Sequence, residues 1–330
     1  MGVKTTFALC ASLLALGAAE APAQPLKLAR LYQGRRAPED TDRLSRKVRV
    51  GRDARVSISN VSGDIVVSAV GGDEVSIDAT KRGSRSDFDR VRIVIDDRPG
   101  RVDIRTDYGM PWNSNNVSVD YNVAVPADAS LDIHSVSGRI RIEGVKGSIR
   151  LASVSGNIVS TNTPKVEYLR SVSGEIELGG ISHDGTLSAS TVSGNIALTG
   201  VKARALDLST VSGEVRLRDA AVDSLTARSV SGNLEYAGRL AKSGRFEVNS
   251  HSGSVRLSLD DNTGFELNAV TFSGSIRSDF QMTIGGDRNS DIRRGRGRRG
   301  PGESLQATYG DGSASLNLRT FSGSIVIAKR

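Results

Sequence analysis

The stretch Ser135–Ile142 reads SVSGRIRI, and close copies of it recur along the rest of the chain. Each copy holds a Ser-Gly pair between alternating apolar residues; the glycines are Gly138, Gly156, Gly174, Gly194, Gly213, Gly232, Gly253, Gly274 and Gly323, with an outlying early copy at Gly63. From Gly138 to Gly274 successive glycines are 18 to 21 residues apart. A fixed period near 20 residues is typical of a solenoid, in which each repeat stacks on its neighbours.

Apolar and polar residues alternate on both sides of the Ser-Gly pair, but the two runs are out of step. Around Gly213, Leu206 and Leu208 share one parity, whereas Val211 and Val215 share the other. Because successive strand residues face opposite sides, each run predicts a strand with one buried face. The change of parity predicts a bend that keeps both inner faces, including the valine before the pair, toward one core. The predicted fold is therefore all-β, a β-solenoid with coils of about 19 residues.

Two columns of residues are predicted at the corner of each coil. The glycine has inward parity, so we expect a side chain there to collide with the facing strand of a narrow coil. The Ser or Thr three residues earlier is expected to bond backbone groups that the bend leaves unpaired, with a ligand-binding hydroxyl ladder as the alternative. A catalytic nucleophile would not be repeated in every coil, so the Ser-Gly pairs are interpreted as corner residues.

The residue after the glycine is polar in every copy. Asn and Glu alternate there through the middle copies, as in Asn195 and Glu214. Two positions later, Arg216, Glu235 and Arg256 alternate in sign. Stacking in register predicts this pattern, because like charges directly above one another are destabilising.

The regions before the repeats predict an exported protein. Residues 1–23 have the basic start, the short apolar run and the Ala21-Pro22-Ala23 site of a secretory signal peptide, and the apolar run is too short to span a membrane. The one cysteine, Cys10, lies in this segment, so the mature chain has no thiol for catalysis, disulfides or metal binding. We predict a periplasmic, cell-surface or secreted location.

The rest of the chain divides into three predicted regions. Residues 24–52 are predicted to be a flexible polar linker. Residues 53–128 predict an N-terminal β module of mainly antiparallel strands, which contains the first copy and caps the solenoid. Residues 129–330 predict the solenoid repeats, with coils that run without a break from about Ala129 to Arg277 and a last coil at Gly323.

The spacing of 49 residues between Gly274 and Gly323 predicts an insertion in one coil. Its Arg/Gly-rich part, at about 285–303, lacks the apolar residues needed to pack and is predicted to be disordered. The insertion contains Arg288, Arg293, Arg294, Arg296, Arg298 and Arg299. With a formal net charge of +7, this loop predicts weak, salt-sensitive binding of anionic polymers.

The tandem phrase (S/T)-V-S-G-x-I-x-L resembles that of the bacterial putative-adhesin family, a domain of unknown function built from β-strand repeats. Here it follows a signal peptide and a strand module that ends in NVAVPADASLDI, Asn122–Ile133. The resemblance covers roughly Val56 to Lys329 and implies an exported β-solenoid of the cell envelope. It supplies no catalytic residues, and the Arg-rich insertion departs from the family pattern.

Three functions are consistent with the sequence. The histidines, His134, His183 and His251, lack zinc-binding spacing, and no phosphate loop or nucleophile elbow occurs, so no cofactor or metal is predicted. The favoured function is a non-catalytic envelope protein that presents a repetitive surface to an envelope component or surface polymer. The alternatives are the binding of lipopolysaccharide, acidic polysaccharide or nucleic acid through the arginines, and a polysaccharide-active enzyme. The enzyme would need paired carboxylates on one face, whereas the acidic residues are scattered, so we predict no enzymatic activity.

Overall fold

The structure is a computed structural model that describes residues 40–109, 117–284 and 302–330. These residues form one compact unit with 23 strands in a single hydrogen-bonded sheet. The predicted all-β solenoid with an antiparallel N-terminal module is confirmed. The predicted signal peptide and the six arginines of the insertion lie outside the described residues.

The N-terminal part of the chain forms seven strands and one 3-10 turn. They are β1 (Asp40–Arg49), β2 (Arg55–Ser62), β3 (Ile65–Val70), β4 (Glu74–Gly83), the turn Arg85–Arg90, β5 (Arg92–Arg98), β6 (Arg101–Asp107) and β7 (Ser118–Pro126). β1 corrects the part of the predicted 24–52 linker that it covers, because it pairs antiparallel with β4 along its whole length; residues 24–39 lie outside the described residues. The sequence lacked a signal for β1 because every residue of that strand except Val48 is exposed, which leaves no apolar period.

The central coils stack in chain order. They are formed by β8 (Ser130–Ser137), β9 (Ile140–Glu143), β10 (Ile149–Ser155), β11 (Ile158–Thr161), β12 (Val166–Ser171), β13 (Ile176–Ser193), β14 (Ile196–Ser212), β15 (Val215–Ser231) and β16 (Leu234–Ser252). Neighbouring coils pair in parallel and in register, so that Leu206 lies opposite Leu225 and Val215 opposite Leu234. The predicted return turn is itself strand in β13 to β16, which gives these coils a third paired side, as at Ile181 and Val201.

The C-terminal coils do not stack in chain order. They are formed by β17 (Val255–Leu259), β18 (Phe265–Ser273), β19 (Ile276–Ser278), β20 (Thr283–Ile284), β21 (Glu303–Tyr309), β22 (Ala314–Ser322) and β23 (Ile325–Lys329). β22 lies between β16 and β18, and β23 lies between β17 and β19. The predicted unbroken run of coils to Arg277 is therefore wrong at this end. The repeat spacing could not predict this order, because every copy of the phrase can pair with any other.

The N-terminal end is also out of chain order. The first copy of the phrase, in β2 and β3, pairs in parallel with β8 and β9 on one side. On its other side it pairs with β6 and β7, which come later in the chain. Antiparallel strands then cover the outermost coils: β5 on β6, β4 on β7 and β1 on β4 at this end, and β21 on β18 at the other. These strands cap sheet edges that would otherwise invite pairing with other chains.

Candidate functional site

The glycines of the repeated phrase form one column through the stack. In stack order they are Gly63, Gly138, Gly156, Gly174, Gly194, Gly213, Gly232, Gly253, Gly323 and Gly274. A Cβ added at Gly156 would overlap the carbonyl oxygen of Gly138, and the same overlap links each glycine to its neighbour along this column. The glycine is thus required by the backbone of the adjacent coil, and the expected collision with the facing strand of the same coil is not what the structure has.

The hydroxyl column lies buried beside these glycines. Thr271 Oγ1 donates to the carbonyl of Gly323 at 2.9 Å, and Thr320 Oγ1 donates to that of Gly253 at 3.2 Å. Five other hydroxyls are equally buried and have no hydrogen-bond partner among the described residues: Ser153, Ser171, Thr210, Ser229 and Ser250. Because these hydroxyl oxygens are closed to solvent, we interpret the column as packing of the corner.

An exposed apolar row, which we call the corner stripe, runs along the outside of the same corner. It consists of the residue just before each Ser-Gly pair; in stack order its members are the half-buried Val61, then Val136, Val154, Val172, Val192, Val211, Val230, His251, Phe321 and Phe272. The valines from Val136 to Val230 are 39 to 49% exposed. At about 4.8 Å per coil, ten members make a row roughly 43 Å long.

The outward direction of these valines corrects the inward position that the sequence predicted. Ser135 and Ile140 both point to the core, and Val136 points away from it. The parity therefore changes at the Ser-Gly pair itself, which adds the extra residue of the bend. Counting in steps of two back from Ile140 crosses that extra residue and assigns Val136 to the wrong face.

The corner stripe ends in a stack of three aromatic rings. The rings of His251 and Phe321 lie 5.0 Å apart and those of Phe321 and Phe272 lie 4.7 Å apart, with interplanar angles of 8° and 6°. Phe321 stands between the other two only because β22 lies between β16 and β18. Sequence spacing therefore gave no signal for this contact.

A groove, which we call the valine groove, lies beside the other end of the corner stripe. It has a volume of about 460 Å³. Its residues are Ser59, Asn60, Val61, Thr106, His134, Ser135, Val136, Ala152, Ser153, Val154, Arg170 and Val172. His134 Nε2 lies 3.1 Å from Asp132 Oδ1. Arg170 is exposed and forms no ion pair or side-chain hydrogen bond within the described part of the chain.

The polar columns after the glycines tie neighbouring coils together. Asn157 Oδ1 accepts the backbone N–H of Glu175 at 3.0 Å, and Asn195 Oδ1 accepts that of Glu214 at 2.9 Å. The Arg216 guanidinium lies 3.3 Å from Glu235 in the adjacent coil, as the alternating signs predicted. The alternation of Asn and Glu therefore supplies side-chain hydrogen bonds between coils as well as separating like charges.

A model of the Toastrack DUF4097 family matches residues 58–313. The chain belongs to this family. The family inferred from the repeated phrase, a domain of unknown function built from β-strand repeats, is thereby confirmed. No curated protein matches this Toastrack chain in sequence.

Three solved structures resemble this Toastrack domain. A "putative lipid binding protein" of Parabacteroides distasonis is 17% identical, with a TM-score of 0.44 over 66% of this chain and 90% of that chain. A "putative adhesin" of Bacteroides fragilis is 9% identical, with a TM-score of 0.39 over 87% and 97%. A "putative cell adhesion protein" of Clostridium sporogenes is 10% identical, with a TM-score of 0.26 over 88% and 100%. At these identities and TM-scores none of them assigns a function.

The titratable side chains of the Toastrack domain bear on catalysis and metal binding. Within residues 40–109, 117–284 and 302–330, no three His, Asp or Glu side chains are close enough to hold a metal ion. Hydrogen bonds from Ser148, Lys329 and Ser313 lower the pKa of Glu167, Asp261 and Asp311, respectively, which is opposite to the shift that a general acid needs. None of the described helical segments is long and apolar enough to cross a bilayer.

Proposed function

We propose that this protein is a non-catalytic, exported binding protein of the cell envelope, which presents its β-solenoid surface to envelope components in the manner of an adhesin. The observation that carries the proposal is the corner stripe. Single exposed apolar residues are normal on a protein surface, whereas a contiguous row of them is typical of an interaction site. The features of residues 1–23 support export.

The rigidity of the fold supports the same function. The stripe is held by strands that pair on both sides, so binding orders few additional groups and little conformational entropy is lost. Its valines have few rotamers, which lowers that loss further. Nine of the ten stripe members are Val or Phe, which offer no group for acid–base or nucleophilic chemistry, and the tenth, His251, stacks on Phe321. The surface is therefore suited to contact rather than to catalysis.

Retention of the mature chain by sedimented envelope fractions tests this proposal. The triple variant Val192→Ser, Val211→Ser, Val230→Ser removes three exposed stripe members and leaves the core intact. We expect retention to fall roughly tenfold, equivalent to about 1.4 kcal/mol. The matched control is Ser190→Ala, Ser209→Ala, Arg228→Ala, which changes outward residues of the same strands two positions earlier.

A second candidate function rests on the charge of the insertion. The central segment RNSDIRRGRGRRG contains six arginines and one acidic residue, Asp291. Replacing all six by Ser is expected to abolish salt-sensitive retention on heparin if the insertion binds anionic polymers. Envelope retention that survives the stripe variant and is lost in the arginine variant would contradict the stripe proposal and favour this one.

A further inference from the structure

We propose that the valine groove binds one hydrocarbon chain with an anionic headgroup, such as a fatty acid, and that Arg170 receives the headgroup. This inference rests on the proposed function, because it assigns a ligand class to one end of the surface that we consider a binding surface.

The groove exists because of a small residue in an outward column. Ala152 lies between His134 and Arg170 in the paired strands β8, β10 and β12. The shorter side chain leaves a depression between two long ones. Thr106 and Val61 border the depression on the side of the N-terminal module, where β6 pairs with β2.

The lining and the volume suit an apolar ligand. Val136, Val154 and Val172 form one wall, and each is exposed to solvent in the empty groove. Covering them releases water from apolar surface, which is favourable. The volume of about 460 Å³ lies within the range of small-molecule sites, which are mostly apolar with a few polar groups.

The shape favours an extended chain. The groove crosses the strands β2, β8, β10 and β12, which span roughly 15 Å at about 4.8 Å per step. All four strands have hydrogen-bonded neighbours on both sides, so a peptide has no strand edge here to which it could add. A flexible hydrocarbon chain needs no such hydrogen bonds.

The charge at the groove favours an anionic headgroup. Arg170 lies between Ala152 and Ser190 in the paired strands, so no carboxylate neutralises it from either side. Its planar guanidinium can bind a carboxylate or phosphate with two parallel hydrogen bonds. His134 lies beside Asp132, and Arg170 is the arginine of the lining that faces the groove without such a carboxylate.

Titration of the mature chain with dansylaminoundecanoic acid, followed by fluorescence, tests the apolar part of the site. We expect saturable one-site binding that Val154→Asp weakens about tenfold or more, because the carboxylate would lie in the apolar groove. Val211→Asp is the matched control, since Val211 is 46% exposed against 47% for Val154 and lies outside the groove. Binding that is not saturable, or an equal loss in both variants, would overturn the proposal.

Competition for the same probe tests the headgroup. Palmitate is expected to displace the probe at least about fivefold better than methyl palmitate, because only the acid carries a charge for Arg170. Arg170→Gln should remove this preference, whereas Arg319→Gln, in the same outward column but outside the groove, should retain it. An equal effect of acid and ester, or stronger displacement by an apolar peptide, would contradict the assigned ligand.

Failure of this site is distinguishable from failure of the proposed function. The envelope test changes Val192, Val211 and Val230, none of which lines the groove. Envelope retention that depends on those valines would therefore stand even if no fatty acid bound at Val154.

Discussion

The central coils and the two ends of this solenoid use the same phrase in different orders. From Gly138 to Gly253 each coil stacks on the one before it in the chain. At the C-terminal end β18 and β19 leave one place free, and β22 and β23 fill it. At the N-terminal end β6 and β7 pair on the outer side of β2 and β3. The comparison teaches that a regular period does not by itself fix the stacking order, because Gly232, Gly253 and Gly274 are each 21 residues apart and only the first two stack directly.

The connection between β17 and β18 is long enough to pass over the coil position that β22 and β23 occupy. The connection 260–264 between β17 and β18 has to cross two coil steps, about 10 Å. Five extended residues can span roughly 16 Å. The connection from β21 to β22 then passes over Gly264, where a Cβ would overlap Asp311. The end coils are thus held by contacts between segments that are distant in the sequence, whereas the central coils are held by contacts between coils that follow one another in the sequence.

Deleting a whole coil should give the largest difference in stability between the centre and the C-terminal end. Removal of 195–213, one period of 19 residues, rejoins Gly194 to Glu214 and leaves each remaining coil with an equivalent neighbour. Removal of 314–330 instead leaves β16 and β18 with unpaired edges and an exposed core. We expect the first deletion to keep a cooperative thermal transition and the second to lose more than about 4 kcal/mol of folding free energy.

Circular dichroism with size-exclusion chromatography measures both deletions. A soluble, cooperatively folding 314–330 deletion would show that the β22–β23 coil does not support the end of the stack.

Glycine-to-alanine substitutions should show a smaller contrast. Gly156 and Gly274 both meet the carbonyl oxygen of a neighbouring glycine. We expect Gly156→Ala to cost about 2–3 kcal/mol, because its coil is held between two others, and Gly274→Ala to cost about 1 kcal/mol, because the outermost coil can shift. Urea unfolding gives both values, and equal costs would contradict the idea that the end yields more easily.

Removing a corner hydroxyl should change the folding free energy still less, and the direction should differ between the C-terminal end and the centre. Thr320 donates to the carbonyl of Gly253, whereas the hydroxyl of Thr210 in the centre has no partner within the part of the chain that the structure describes. Thr320→Val should therefore destabilise by about 1–2 kcal/mol, and Thr210→Val should be neutral or stabilise by up to about 1 kcal/mol. If chemical unfolding shows a loss at Thr210 equal to that at Thr320, its hydroxyl has a partner in solution.

High pH should give the smallest effect, and a tyrosine variant reports it at the N-terminal end. Burial raises the pKa of Tyr121 and of Tyr108 to about 12. The stability that depends on their neutral form is fully present below pH 10, the ordinary value for tyrosine, and is lost as the pH rises toward 12. Tyr121→Phe should therefore reduce the loss of stability between about pH 10 and 12. An unchanged slope of melting temperature against pH would contradict this role.

Much of the fold could be predicted from the sequence, but less of the surface. The alternation around Gly213 correctly predicts two strands and a corner, since burial of one face forces a period of two. The order of the end coils could not be predicted, because Gly253 presents the same pairing surface to Gly323 as to Gly274. The valine groove depends on Ala152 lying between two long side chains of other coils, which only the register reveals.

The place filled by β22 and β23 has a consequence for synthesis. Residues 255–278, on both sides of that place, are made before residues 314–330 that fill it. A growing chain therefore carries two facing open sheet edges until those later residues are released, and open edges bind other strands readily. A chain interrupted between Gly274 and Ala314 would keep them, which exposes it to aggregation and proteolysis. The order of the coils thus means that residues 255–278 are protected from aggregation and proteolysis only after residues 314–330 have been synthesised.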